Sequence, residues 1–235
     1  MYICINRKKS GMKSIFSLAF LCVMLFAEAQ QISVSDVARN IKFNKTINEI
    51  NNGKQKISYS DIQGVPYYTK GFVNARVGDT SSWVPIRYNS FLDTIEILDK
   101  LEVYEIPKEQ SYPKFTLEKT NEKLVLLNTG DQYAGYFFEL SDGKYRILRK
   151  VITKFYDAVP APNSLISGTP ARFEMERPIY FIKTENGMVR VPKNIKELPA
   201  MFPEKKDELN NFLKSNKIKL NSEEDLLKLG VLLNQ

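Results

Sequence analysis

The chain has no histidine, and its only two cysteines, Cys4 and Cys22, both fall before residue 30. Those absences prune the chemistry. Zinc sites built on imidazole or thiolate are excluded from residue 30 onward. So are Ser-His-Asp and Cys-His catalysis and any histidine proton shuttle. Carboxylate, lysine or tyrosine chemistry, all-oxygen metal binding, or no chemistry at all remain, which favours binding or structure over catalysis. No disulfide is available beyond the first residues, so stability must come from an ordinary apolar core. Long apolar runs are missing as well. The longest, 15–26, is about a dozen residues, where a membrane span needs about 20. Calcium would need several converging oxygens, and no Asp-rich loop of suitable spacing occurs. Neither a metal nor a cofactor is expected.

What the first residues do contain reads as an export leader. Arg7, Lys8, Lys9 and Lys13 form a basic segment, the apolar run follows, and Ala27-Glu28-Ala29 puts small residues around a cleavage site. Residues 1–29 are therefore expected to be a signal peptide, and the product to reach the periplasm, the cell envelope or the exterior. Leu21 before Cys22 does not suit lipid attachment there. Removing the leader's cations also reduces the overall charge of +7 to a small excess on a mixed surface. Nucleic acid, which wants a concentrated basic face, is not an expected partner.

Residues 30–60 give a weak pattern, with Val34, Val37 and Ile41 on one face of a short helix capped by Ser35 or Asp36. Residues 61–192 read as successive antiparallel strands. Val73, Ala75 and Val77 alternate with polar residues, and short β-rich runs begin at Trp83, Thr94, Leu101, Lys114 and Lys123, nearly all bounded by turn residues. Asp142-Gly143 suits a two-residue type I′ turn between 133–140 and 145–155. That register pairs Leu140 with Tyr145, Phe138 with Ile147, Tyr136 with Arg149 and Glu139 with Arg146. It buries Tyr145, Ile147 and Val151, and it turns Arg146 and Lys150 outward, where Lys150→Ala would cost almost nothing. A second hairpin at Asn186-Gly187 pairs Ile182 with Val191 and Lys183 with Arg190. Between the two, residues 157–171, rich in proline, are expected to form a connection rather than a binding loop.

After Pro192 the period becomes helical. Leu209, Phe212 and Leu213 share a face after Pro203. Ser222 is a good N-cap, Glu223, Glu224 and Asp225 suit the positive end of a helix dipole, and Leu226, Leu229 and Leu233 form a stripe. Residues 193–235 are expected to dock on the sheet. The fold class is mainly β, an antiparallel sheet system shaped as a sandwich or incomplete barrel, with a helical C-terminal segment.

Several short motifs occur in order: Gly64-Val65-Pro66-Tyr67, Arg87-Tyr88-Asn89 with Asp93 and Glu96, Phe137-Phe138-Glu139 with Asp142-Gly143-Lys144, and a closing Phe-Pro-Glu-Lys-Lys. In these the chain resembles a broad set of small exported proteins of Bacteroidota-type bacteria. The resemblance implies export and a β-rich fold, and it carries over no catalytic residues.

Three sets of candidates follow. Lys144, Arg146, Lys150 and Lys154 alternate on one expected strand with Leu148 and Ile152 between them, a stripe suited to an anionic lipid, an acidic glycan or another envelope protein. Glu174 and Glu176 share a strand face at about 7 Å, a spacing that carboxylate-dependent hydrolases such as glycosidases use. Asp93 and Glu96 flank a turn, where Asp commonly accepts from its own turn backbone. A non-catalytic binding or structural module is the leading expectation, and a hydrolase the alternative. Sequencing the N-terminus of the secreted form should find Gln30 first. A full-length cytoplasmic product would contradict export.

Overall fold

The computed structural model describes residues 62–235, apart from 110, 111, 113 and 164; the leader, the 30–60 lead-in and its helix lie outside the described residues. The protein is mainly β. Among the described residues twelve strands run in order: β1 (Val73–Val77), β2 (Trp83–Asn89), β3 (Thr94–Asp99), β4 (Glu102–Ile106), β5 (Lys114–Leu117), β6 (Lys123–Leu127), β7 (Gly135–Ser141), β8 (Arg146–Lys150), β9 (Thr153–Tyr156), β10 (Arg172–Met175), β11 (Ile179–Thr184) and β12 (Gly187–Arg190). Ten form one antiparallel sheet in the order β12-β11-β8-β7-β6-β5-β1-β2-β3-β4, and β9 and β10 form a second. Three helices close the chain: α1 (Leu198–Met201), α2 (Lys206–Ser215) and α3 (Glu223–Leu233).

The large sheet is curled. Four strands separate β8 from β2, which at about 4.8 Å per spacing would set a flat sheet's two strands about 24 Å apart. Yet Lys150 Nζ at the end of β8 lies 2.8 Å from Asp93 in the β2–β3 turn, and the Thr153 and Ser90 hydroxyls lie 2.7 Å apart. A lysine side chain spans only a fraction of the flat distance, so the strands must wrap round. The concave side is filled by Tyr88, Phe115, Tyr136, Phe138, Ile86, Ile95 and their neighbours, with Tyr88 and Tyr136 edge to face at 6.0 Å. The two edges, β12 and β4, do not pair, so the barrel stays open.

A second core joins β8, β11 and the helices. Tyr145, Ile147, Tyr180 and Ile182 meet Leu198, Phe202, Leu209, Leu226, Leu229 and Leu233. The leucine stripe read from the sequence is the buried face of α3, while Leu227 and Val231 are exposed. Ser222 caps that helix, its side chain accepting from the Asp225 amide at 3.4 Å. Each fully buried Leu, Ile or Phe contributes about 1.5–3 kcal/mol, so this interface holds the helices in place.

Both expected hairpin registers shift. At the second turn, Thr184 pairs with Gly187, Ile182 with Val189, Lys183 with Met188 and Arg190 with Phe181. The turn sits on Glu185-Asn186, and no Lys183–Arg190 pair forms. At the first, Phe138 pairs with Arg149 and Glu139 with Leu148, and a bulge between Glu139 and Ser141 brings Ser141 opposite Ile147. The cause lies at the far end of the chain. Asn234 accepts from the Tyr145 amide at 3.0 Å and donates to its carbonyl at 2.9 Å, replacing Leu140 as partner. Gly143, at φ 111, leaves room there: a Cβ would come within 2.5 Å of Asn234 Oδ1. A turn displaced by one residue changes partners without exchanging faces, so Tyr145, Ile147 and Val151 are buried as expected. The expected strand 145–155 breaks after Lys150, and β9 leaves for the smaller sheet. Residues 157–171 form a narrow finger in which Val159 and Thr169 exchange backbone hydrogen bonds of 2.8 Å.

Lys150 corrects the sequence reading most. It is 1 % exposed, not outward and solvated. Removing one partner of a buried ion pair costs about 3–5 kcal/mol. Lys150→Ala should therefore destabilise as much as Ile147→Ala, about 2–5 kcal/mol, in urea unfolding. A loss below about 1 kcal/mol for Lys150→Ala would contradict the burial.

Candidate functional site

The four cations expected in one stripe are dispersed. Lys144 is exposed in the turn before β8, its Nζ 5.8 Å from the Tyr145 ring. Arg146 is held by Glu139 at 2.6 Å. Lys150 is buried against Asp93 and donates to the Tyr136 carbonyl at 2.9 Å. Lys154 has moved to β9, where it meets Glu176 at 3.1 Å. The continuous strand that would have aligned them is cut at Val151-Ile152 by the anchoring of Thr153 to Ser90.

Asp93 and Glu96 are also committed to cations. Glu96 binds Arg87 at 2.6 Å. Asp93, at φ 61, accepts from Tyr88 Oη at 2.7 Å, from the Tyr136 amide at 3.3 Å, from Lys150 at 2.8 Å and from Lys108 at 3.2 Å. The turn backbone is capped instead by Asn89, whose Oδ1 accepts from the Phe91 and Leu92 amides. No cluster of three metal-ligating side chains occurs among the described residues.

What does gather chemistry is the seam between the two sheets. A cleft of about 540 Å³ is lined by Ile152, Lys154, Glu174, Met175, Glu176, Arg177, Ile179 and Arg190. It brings together Lys154 and both members of the predicted carboxylate pair. Local structure explains the placement. β9 and β10 pair Lys154 with Glu174 and Thr153 with Met175, and Glu176 follows with its amide on the Ile152 carbonyl at 2.9 Å. Pro178 and Ile179 then carry the chain back to the large sheet, which presents Arg190 from β12.

The two acids are neutralised where they stand. Glu174 is bound by Arg172 at 3.1 Å. Glu176 accepts from Tyr156 Oη at 2.7 Å as well as from Lys154. The Tyr156 hydrogen bond, with that from Lys154, holds the Glu176 carboxyl below the ordinary range. A glycosidase's general acid needs the opposite, a carboxyl kept protonated by a raised pKa. Arg177 and Arg190, by contrast, are exposed and make no ion pair among the described residues. Sequence reading missed both; the only signal for Arg190 was its expected clash with Lys183.

Arg149 is the other charged group in the interior. Stacked 4.4 Å over Phe138, it donates to Glu122 at 2.6 Å, to Glu223 of α3 at 2.8 Å and to Tyr68 Oη at 3.1 Å. Burial pulls its pKa down, but the hydrogen bonds to Glu223 and Glu122 outweigh this and raise it. It bridges the two cores and, with its Nε buried without a hydrogen-bond partner, is not among the residues that line the seam cleft.

Comparison with protein-family models, curated proteins and solved structures found no match to this chain. The site is therefore argued from its geometry alone.

Because Glu176 is depressed in the fold, its contribution to stability is present above the ordinary glutamate pKa and lost as pH falls through the depressed value. A carboxyl-resolved NMR titration should find Glu176 below ordinary glutamates, and Tyr156→Phe should move it back up. A midpoint above the ordinary range would contradict the geometry and revive the hydrolase.

Proposed function

We propose that the chain is an exported, non-catalytic binding module, and that the seam cleft takes an anionic ligand with an apolar part. One observation carries this reading. In a cleft whose lining includes the apolar Ile152, Met175 and Ile179, both carboxylates are matched by neighbouring cations, while the guanidinium groups of Arg177 and Arg190 are not. Guanidinium forks suit phosphate or carboxylate, which they bind in bidentate fashion. Ile152, Met175 and Ile179 give the ligand's hydrocarbon or sugar face a surface to contact. An apolar carrier cavity in the sheet is disfavoured, because the concave side is packed with aromatic side chains.

The test is calorimetry with inorganic phosphate, an alkyl phosphate and an oligogalacturonide. The alkyl phosphate should bind saturably, and more tightly than inorganic phosphate. The double variant Arg177→Ala/Arg190→Ala should lose at least tenfold in affinity, and added salt should weaken wild-type binding, since exposed charges are screened over about 10 Å at 0.1 M. Turnover of a chromogenic glycoside abolished by Glu176→Gln would replace this reading with the hydrolase.

A further inference from the structure

Lys150 and Asp93 bring an amine and a carboxyl group together away from bulk solvent. Their side chains are 1 % and 3 % exposed, and Lys150 Nζ lies 2.8 Å from Asp93 Oδ1. Every other ion pair among the described residues has a side chain at least 17 % exposed. Adding one carbon–oxygen bond to the contact puts Nζ within about 4 Å of the Asp93 carboxyl carbon. Atoms poised to react stand about 3–3.5 Å apart, so a small turn of the carboxyl plane suffices. From residue 30 onward the chain has no cysteine, and a covalent staple has to be built from other side chains.

The surrounding groups suit an amide at this position. Tyr88 Oη donates to Oδ1 at 2.7 Å, and the Tyr136 amide donates to both carboxyl oxygens at 3.3 Å. Fixed donors of this kind stabilise an oxyanion as it develops. Oδ2 accepts from Lys108 Nζ at 3.2 Å, which puts a proton donor on the other oxygen. Lys150 Nζ also donates to the Tyr136 carbonyl at 2.9 Å, a bond that an amide N–H in its place would keep.

We propose that Lys150 and Asp93 condense after folding into an amide, a covalent cross-link between the end of β8 and the β2–β3 turn. The first proton crosses the hydrogen bond from Nζ to the carboxylate, leaving an amine and a carboxylic acid. Burial eases that exchange because it penalises charge. The amine lone pair then forms the Nζ–Cγ bond, and Oδ1 carries the negative charge of the adduct against Tyr88 Oη and the Tyr136 amide. A second proton leaves Nζ as the Cγ–Oδ2 bond breaks. Both protons depart with Oδ2 as one water, and Lys108 assists by donating to that oxygen. Nothing is oxidised or reduced, and no co-reactant is consumed. The ion pair is the reactant, so the curl it closes is in place before the bond forms. The cross-link joins residues 57 positions apart and restricts the unfolded chain. It is independent of the seam cleft.

Mass spectrometry of the denatured full chain tests this. The wild type should weigh one water less than its sequence requires, with Lys150→Met at full mass as the reference for any processing of the ends. Trypsin should release a branched peptide, residues 88–100 joined through Asp93 to residues 150–154 through Lys150, since it does not cut after a condensed lysine. Tyr88→Phe keeps the ring in its core and removes the hydroxyl on Oδ1, so its condensed fraction should fall at least tenfold. Wild type at full mass, with Asp93 and Lys150 in separate linear peptides, overturns the bond and leaves the ion pair as described. So does a water lost within residues 88–100 alone, as a cyclic imide at Asp93 would lose it.

Discussion

The buried contact between Lys150 and Asp93 sets the curl of the large sheet. It joins the end of β8 to the β2–β3 turn across the mouth of the curl, 2.8 Å apart at strands separated by four others. Two charges so deeply buried are tolerable only when further hydrogen bonds complete their coordination. Here Tyr88 and the Tyr136 amide serve the carboxylate, and the Tyr136 carbonyl serves the ammonium. Gly135 is part of the same arrangement: at φ 133, a Cβ would lie 1.7 Å from Asp93 Oδ2. Bringing those groups together closes the concave side over its aromatic core.

Arg149, one residue earlier, does related work on the other side of the strand. Phe138 of the first core lies beneath it, and Glu223 of α3 grips it from the second. Tyr180 reaches the same carboxylate at 3.2 Å. The helical segment is thus fastened to the sheet by an ion network as well as by leucines. The two adjacent cations of β8 are structural, so the anionic ligand proposed for the seam would fall to Arg177 and Arg190, which stand outside such networks.

Much of the fold was legible in local pattern. Alternation located the strands from Val73 to Leu127, and the caps and stripes located α2 and α3, because each signal lies within a few residues. The shifted register of the first hairpin was not legible, because Asn234 acts on Tyr145 across 89 positions. The burial of Lys150 was hidden for the same reason. Alternation assigns a face to a residue, but only the curl of the sheet shows that Asp93 waits on that face. Of the candidate site, Lys154, Glu174 and Glu176 were visible as residue types. Their meeting with Arg177 and Arg190 depends on the break after Lys150, which no local turn signal marks.

The most direct test of this account is a double-mutant cycle on Asp93 and Lys150, read by denaturant unfolding of Asp93→Asn, Lys150→Met and the combined variant. Asp93→Asn removes the carboxylate that faces Lys150, and Lys150→Met leaves Asp93 with Lys108 as its cation, whereas the double change removes both charges of the pair. The account predicts that the double variant is more stable than the sum of the single losses implies, by about 2–3 kcal/mol of coupling. Losses that add to within about 0.5 kcal/mol would mean that the two groups do not hold the curl together.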